Sequence, residues 1–133
     1  MQNFDESYNS IPMMFDERLK QLEATLTDRT VTDLDKGRAI KTFLDEGYSP
    51  SLRKLLDELH EVGRDTVARL HSLAHISPAA LACFNQKSIR AKWAWKLKLA
   101  LERNPDFYLS KVAELKTADL SDFKKFKVLA ALA

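Results

Sequence analysis

From Ser49 to Phe84 the chain alternates short apolar stripes with tight polar turns, the rhythm of consecutive short helices. Ser49 followed by Pro50 reads as an N-cap and a helix-starting proline, whose missing N–H would lack an intrahelical partner anyway. Leu52, Leu55, Leu56 and Leu59 then recur at helical spacing. Val62 is placed to plug the angle between two crossing helices, and Gly63 to relieve the backbone at the turn. In the next helix, Val67, Leu70, His71 and Ala74 fall on one face, leaving Arg64, Asp65, Ala68, Arg69 and Ser72 outward. This pattern fits a helix-turn-helix, whose second helix offers Arg, Asp and Thr to base edges in a major groove, and equally an ordinary helical hairpin.

The same period runs through the rest of the chain. Residues 1–10 are polar without a period and read as an arm. Met14, Phe15, Leu19, Leu22 and Leu26 then form an amphipathic helix starting at Pro12, expected to pack on its own domain. Thr32, with Asp35 three residues on, has capping-box spacing; a helix runs from there to about Glu46, ended by Gly47, with Ile40, Phe43 and Leu44 inward and Lys36 and Lys41 in solvent. Ser77-Pro78 and Asn104-Pro105 repeat the cap-and-proline punctuation. Between them, Lys87 to Arg103 reads as one continuous basic helix with Ile89, Trp93, Leu97, Ala100 and Leu101 as its stripe; Trp95, off that stripe, is expected to shield the core edge. Two more helices, Asp106–Leu115 and Ser121–Leu132, close the chain. No strand pattern and no Gly-rich phosphate loop occurs. The expected fold class is all-α: a helix-turn-helix domain of about six to eight short helices, with residues 1–30 an N-terminal arm and amphipathic helix and residues 31–133 the helix-turn-helix domain.

Composition narrows this picture. The chain of 133 residues is 45% hydrophobic and 30% charged, which suits one domain with a real core. Its net charge is +2, unevenly spread: residues 1–50 hold six Lys/Arg against ten Asp/Glu, residues 51–133 fifteen against nine. The basic half is the half a polyanion would meet. No apolar run is long enough to cross a bilayer and no secretion signal opens the chain, so a cytoplasmic protein without membrane contact is expected. The single cysteine, Cys83, between Leu81 and Phe84, is expected to be a small buried residue. His71 and His75 stand one turn apart, but no carboxylate accompanies them on that helix, so no metal site and no cofactor are expected. No nucleophilic triad suggests itself, and no enzyme is expected.

The run DLDKGRAIKTFLDEGYSPSLRKLLDELHEVGRDTVARLHSLAHISPAALACF resembles the central DNA-binding domain of ParB-type partition proteins. The likeness lies in an acidic helix start containing Gly and Arg, a helix-turn-helix ending in a TVxRL-like recognition helix, and a short helix matched by Ile76, Pro78, Leu81 and Phe84. The segment RAKWAWKLKLALERNPDFYLSKVAEL is similar to the Arg/Trp-containing helix region that comes after this motif in plasmid-type members. The sequence departs from the family at Leu56, Asp57 and His60-Glu61, where a small residue and a glycine are usual, and it shows no counterpart of the family's nucleotide-binding domain. The resemblance therefore implies binding to a specific duplex, a centromere-like site used in plasmid or chromosome segregation, without CTP hydrolysis. It implies base contacts from Arg64, Asp65, Thr66 and Arg69, phosphate contacts from Ser51, Lys54, Lys92 and Lys96, and a place for Ser72 in the same DNA-binding face. It further implies a homodimer, a partition ATPase as partner, and a nucleoid or plasmid location. The alternatives are a transcriptional repressor using the same motif, or a helical module in which Trp95 and the lysine row meet an acidic protein.

Overall fold

The computed structural model describes the backbone from Gln2 to Ala133 and side chains from Phe15 onward. It is all-α: α1 (Gln2–Thr27), α2 (Asp33–Asp45), α3 (Leu52–Glu58), α4 (Arg64–Leu73), α5 (Pro78–Ala82), α6 (Ala94–Arg103), α7 (Pro105–Lys116) and α8 (Asp122–Ala130), with 3₁₀ turns at Gln86–Ser88 and Ala91–Trp93. No strand occurs among the described residues.

Local chemistry sets most of these boundaries. The Thr32 hydroxyl accepts from the Asp35 N–H at 3.2 Å and starts α2; Gly47, at φ 83°, ends it in the left-handed region where a side chain would be strained. Ser77 caps α5 ahead of Pro78, and Ser121 caps α8 by accepting from the Lys124 N–H. Two expected helix starts move and one expected cap is absent. Ser51, not Ser49, caps α3, accepting from the Lys54 N–H at 3.1 Å; Ser49 is buried and donates to the Ser51 carbonyl. The Asn104 side chain does not cap α7 but donates to the Leu132 carbonyl at 2.7 Å, tying the chain's end to the α6–α7 junction. α1 begins at Gln2, so the expected arm is helical and Pro12 lies inside the helix. Phe4, Tyr8 and Ile11 continue the spacing of Phe15, Leu19, Leu22 and Leu26, and a formed helix gains one hydrogen bond per added residue. Met14 lies outside the described side chains.

Two apolar clusters share a wall. One joins Leu22 and Leu26 of α1, Ile40 and Phe43 of α2, Leu55 and Leu59, and Val67 and Leu70 of α4. The other gathers Leu34 of α2, Leu73 of α4, Cys83, Trp93 and Leu97 with Tyr108, Val112 and Leu129 of the last helices. α2 and α4 belong to both and form the most extensive helix pair in the molecule. They cross at Gly37, where an added Cβ would stand 2.1 Å from the Leu70 carbonyl oxygen. Only glycine permits that approach.

The basic helix expected from Lys87 to Arg103 is broken. Its first part is the two 3₁₀ turns, with Ile89 and Arg90 extended between them, and α6 begins only at Ala94. Asp33 on α2 accepts the Ala91 N–H at 2.8 Å, and Asn85 accepts the Lys87 N–H, so these donors serve side chains rather than a helical ladder. Ile89, Trp93, Leu97 and Ala100 are nonetheless buried as their spacing predicts. Trp93 stacks on Phe126 with ring centroids 4.7 Å apart.

Candidate nucleic-acid interface

α4 has one fully buried side and one open side. Val67, Leu70 and Leu73 are sealed in the core, while Arg64, Asp65, Thr66 and Arg69 are exposed. Leu73 takes the inward place expected of Ala74, which is only half-buried. Burial of three aliphatic side chains, at about 1.5–3 kcal/mol each, fixes which way the helix faces. Of the residues pointing out, Asp65, Thr66 and Arg69 are held by the helix register, with no side-chain hydrogen bond or ion pair to a described residue, while Arg64 has one contact of its own.

α4 starts at Gly63, whose φ of −62° is open to any residue, so the glycine is not needed for the turn. It supplies no side chain to cap the helix, and the first N–H groups of α4 have no side-chain acceptor. Arg64 is tied across the turn to Asp57 of α3 at 2.7 Å, both side chains being exposed. The Arg64 guanidinium hydrogen-bonded to Asp57 holds that carboxyl below the usual carboxylate range, and Arg53 and Lys54 act on it in the same direction. Arg53, Lys54 and Arg64 thus all act on Asp57, beside an α4 N-terminus that carries Asp65 in its first turn.

On its other flank α4 packs against the 3₁₀ turn Ala91–Trp93 and against α6. Lys92, exposed on that turn, borders a shallow depression with Arg90, Ser121 and Phe123. Lys96 is exposed in the first turn of α6, where a cation opposes the helix dipole and gains from a nearby anion. Arg90 also reaches a second depression shared with Arg29 and Lys87. None of Arg29, Lys87, Arg90 and Lys92 forms an ion pair with a described residue, and the local acids Asp33 and Asp122 are occupied by the backbone N–H groups of Ala91 and Asn85. Sequence reasoning leaves Arg29, Lys87 and Arg90 out of the site because it sets Lys87 and Arg90 on a continuous helix that breaks here into two 3₁₀ turns, and Arg29 lies in the acidic half.

Two expected contact residues serve the fold. The Ser51 hydroxyl is the α3 cap. The Ser72 hydroxyl donates to the Ala68 carbonyl at 3.0 Å, and the residue lines a cleft facing α6 rather than the open side of α4. Trp95 does not shield the core edge: it is 60% exposed, because the buried side of α6 is completed by Ala94, Leu97 and Ala100. His71 and His75 form an edge-on ring pair with Nε2 atoms 3.1 Å apart. No group of three metal-ligating side chains occurs among the described residues, and no helix among them is long and apolar enough to cross a membrane.

The chain matches no protein-family model, and no curated protein or solved structure is significantly similar to it.

Proposed function

We propose that this chain binds a specific double-stranded DNA site by laying the open side of α4 in the major groove. The observation that carries the reading is the division of α4 into a sealed face, Val67, Leu70 and Leu73, and an exposed face, Arg64, Asp65, Thr66 and Arg69, with cations on both flanks. Arg69 forms no ion pair with a described residue and is the side chain freest to take guanine O6 and N7 together. Arg64 must first exchange Asp57 for a base or phosphate. Lys54, Lys92 and Lys96 are the phosphate contacts, and the uncapped N-terminus of α4 adds backbone donors for the same purpose. The resemblance to ParB-type domains makes a centromere-like repeat the target, a dimer the bound form and a partition ATPase the partner.

The test begins with selection from a random duplex pool, followed by mobility shifts on the selected and a scrambled site. Arg69→Ala should weaken the selected site by about 1–3 kcal/mol and the scrambled site little. Lys96→Ala should weaken both alike and flatten the salt dependence by roughly one unit. Failure to bind any duplex at low salt refutes the function; equal losses from Arg69→Ala on both duplexes put the wrong helix in the groove. The exposed Trp95 favours a second reading, a helical module that binds an acidic polypeptide. In that case Trp95→Ala abolishes polypeptide binding and leaves duplex binding unchanged.

A further inference from the structure

A cleft of about 320 Å³ opens between the C-terminal half of α4, the turn into α5, and α6 and α7. That volume lies at the small end of the range of ligand pockets. Leu52, Ile76, Leu97 and Leu101 give it apolar walls. Its polar groups are few: Lys98, the His71–His75 pair, Tyr108, Ser77, and Ser72, whose hydroxyl already donates to the Ala68 carbonyl.

Three features of those groups point to an anion. Lys98 is exposed, forms no ion pair with a described residue, and no carboxylate lines the cleft beside it. Asp45, the acid that His71 senses, is held by Lys41 at 2.6 Å. Tyr108 is 1% exposed, yet its hydroxyl is bonded to no described residue; Glu58 Oε2 is the one described side-chain atom both sealed and unpartnered. Tyr108 is among the residues that line the cleft.

We infer that this cleft binds a small amphipathic carboxylate, its charge drawn to Lys98 and the Tyr108 hydroxyl, its ring or short chain against Leu52, Ile76, Leu97 and Leu101. One fixed cation suits a monoanion rather than a phosphate, which calls for several charges or a cradle of backbone N–H groups. Two imidazoles without a carboxylate or thiolate make a poor metal site. The inference does not rest on DNA binding, and its test contains no DNA.

The full chain, labelled with ¹⁵N, is titrated with phenylacetate and, separately, with its uncharged isostere phenylacetamide. Phenylacetate should move the amides of Ser72, Ile76, Lys98 and Leu101 saturably in the millimolar range, with phenylacetamide roughly tenfold weaker, the value of one charge-assisted contact. Lys98→Gln, an exposed change whose fold the same spectra report, should bring phenylacetate down to the amide's level, and Tyr108→Phe should weaken it severalfold. No saturable shift by millimolar phenylacetate overturns the inference. So do equal affinity for the two probes, indifference to Lys98→Gln, or shifts confined to residues outside the cleft.

Discussion

Replacing Gly37 by alanine tests the crossing on which the orientation of α4 depends. Alanine is the better helix former by about 1 kcal/mol, so propensity alone predicts a more stable protein. Against this stands a Cβ 2.1 Å from the Leu70 carbonyl oxygen and 3.1 Å from its carbon, both backbone atoms that no rotamer change can move. Ordinary contact begins at 3.4 Å, so α2 and α4 must separate by more than an ångström and loosen Ile40 and Val67, both fully buried. Overpacking of this kind costs about 1–3 kcal/mol, here at the upper end, leaving a net loss of about 2 kcal/mol. For a domain of this size that lowers Tm by roughly 8 °C. Gly47→Ala is the comparison: its Cβ meets open space, and the loss of about 1–2 kcal/mol comes from the positive φ alone. Thermal melts followed by circular dichroism, together with tryptophan fluorescence, read both. If Gly37→Ala melts at or above the parent temperature, the helices do not cross this closely and the packing described for α4 is wrong.

Asp33→Ala removes the acceptor of the Ala91 N–H, so denaturant melts should show a loss of about 1.5–3 kcal/mol, with faster amide exchange at Ala91. Lys125→Met keeps the buried stem but leaves the Cys83 carbonyl without the ammonium that donates to it at 2.8 Å; urea midpoints should report a loss of about 1–3 kcal/mol. Burial, and then the neighbouring His75, hold the His71 imidazole below its ordinary 6.5, with Asp45 opposing and Lys41 reinforcing. The unfolded chain thus binds the proton first, and the contribution of His71 is intact above 6.5 and falls as pH drops through 6.5 toward the lower folded value. Urea midpoints across this window should slope for the parent and flatten for His71→Gln. Burial pushes the Tyr108 phenol up to about 12, so an ultraviolet titration of the folded protein should show one tyrosine ionising well after the ordinary 10.

What could be read from the chain was what one element's own residues decide. Thr32 with Asp35, Gly47, and Ser77 before Pro78 fixed helix ends by chemistry within four positions. The helical period likewise turned Arg64, Asp65, Thr66 and Arg69 outward, and the all-α class comes from that period in every segment. What could not be read was decided across distance. The break between Lys87 and Ala94 is made in part by a carboxylate 58 residues away, and no local pattern marks it. Ser49 and Ser51 both flank Pro50, and the choice of cap depends on which serine the fold buries. The ion pair of Arg64 crosses a turn to a residue 7 positions back, outside the spacing of any single helix. The cleft draws its lining from α3, α4, α6 and α7, so none of its walls has a signature.

The wall that α2 and α4 share between the two apolar clusters sets how the molecule opens. Leu34 and Leu73 lie on one side of it, Ile40, Phe43, Val67 and Leu70 on the other. Melting the side that holds Leu34 and Leu73 leaves Ile40, Phe43, Val67 and Leu70 covered, so the central amides of α2 and α4 should be the slowest to exchange with solvent, whereas those of α7 and α8, which meet a single cluster, should exchange sooner. A peptide excised to carry the α3–α4 hairpin alone would leave both faces of that wall in water and lose its helices.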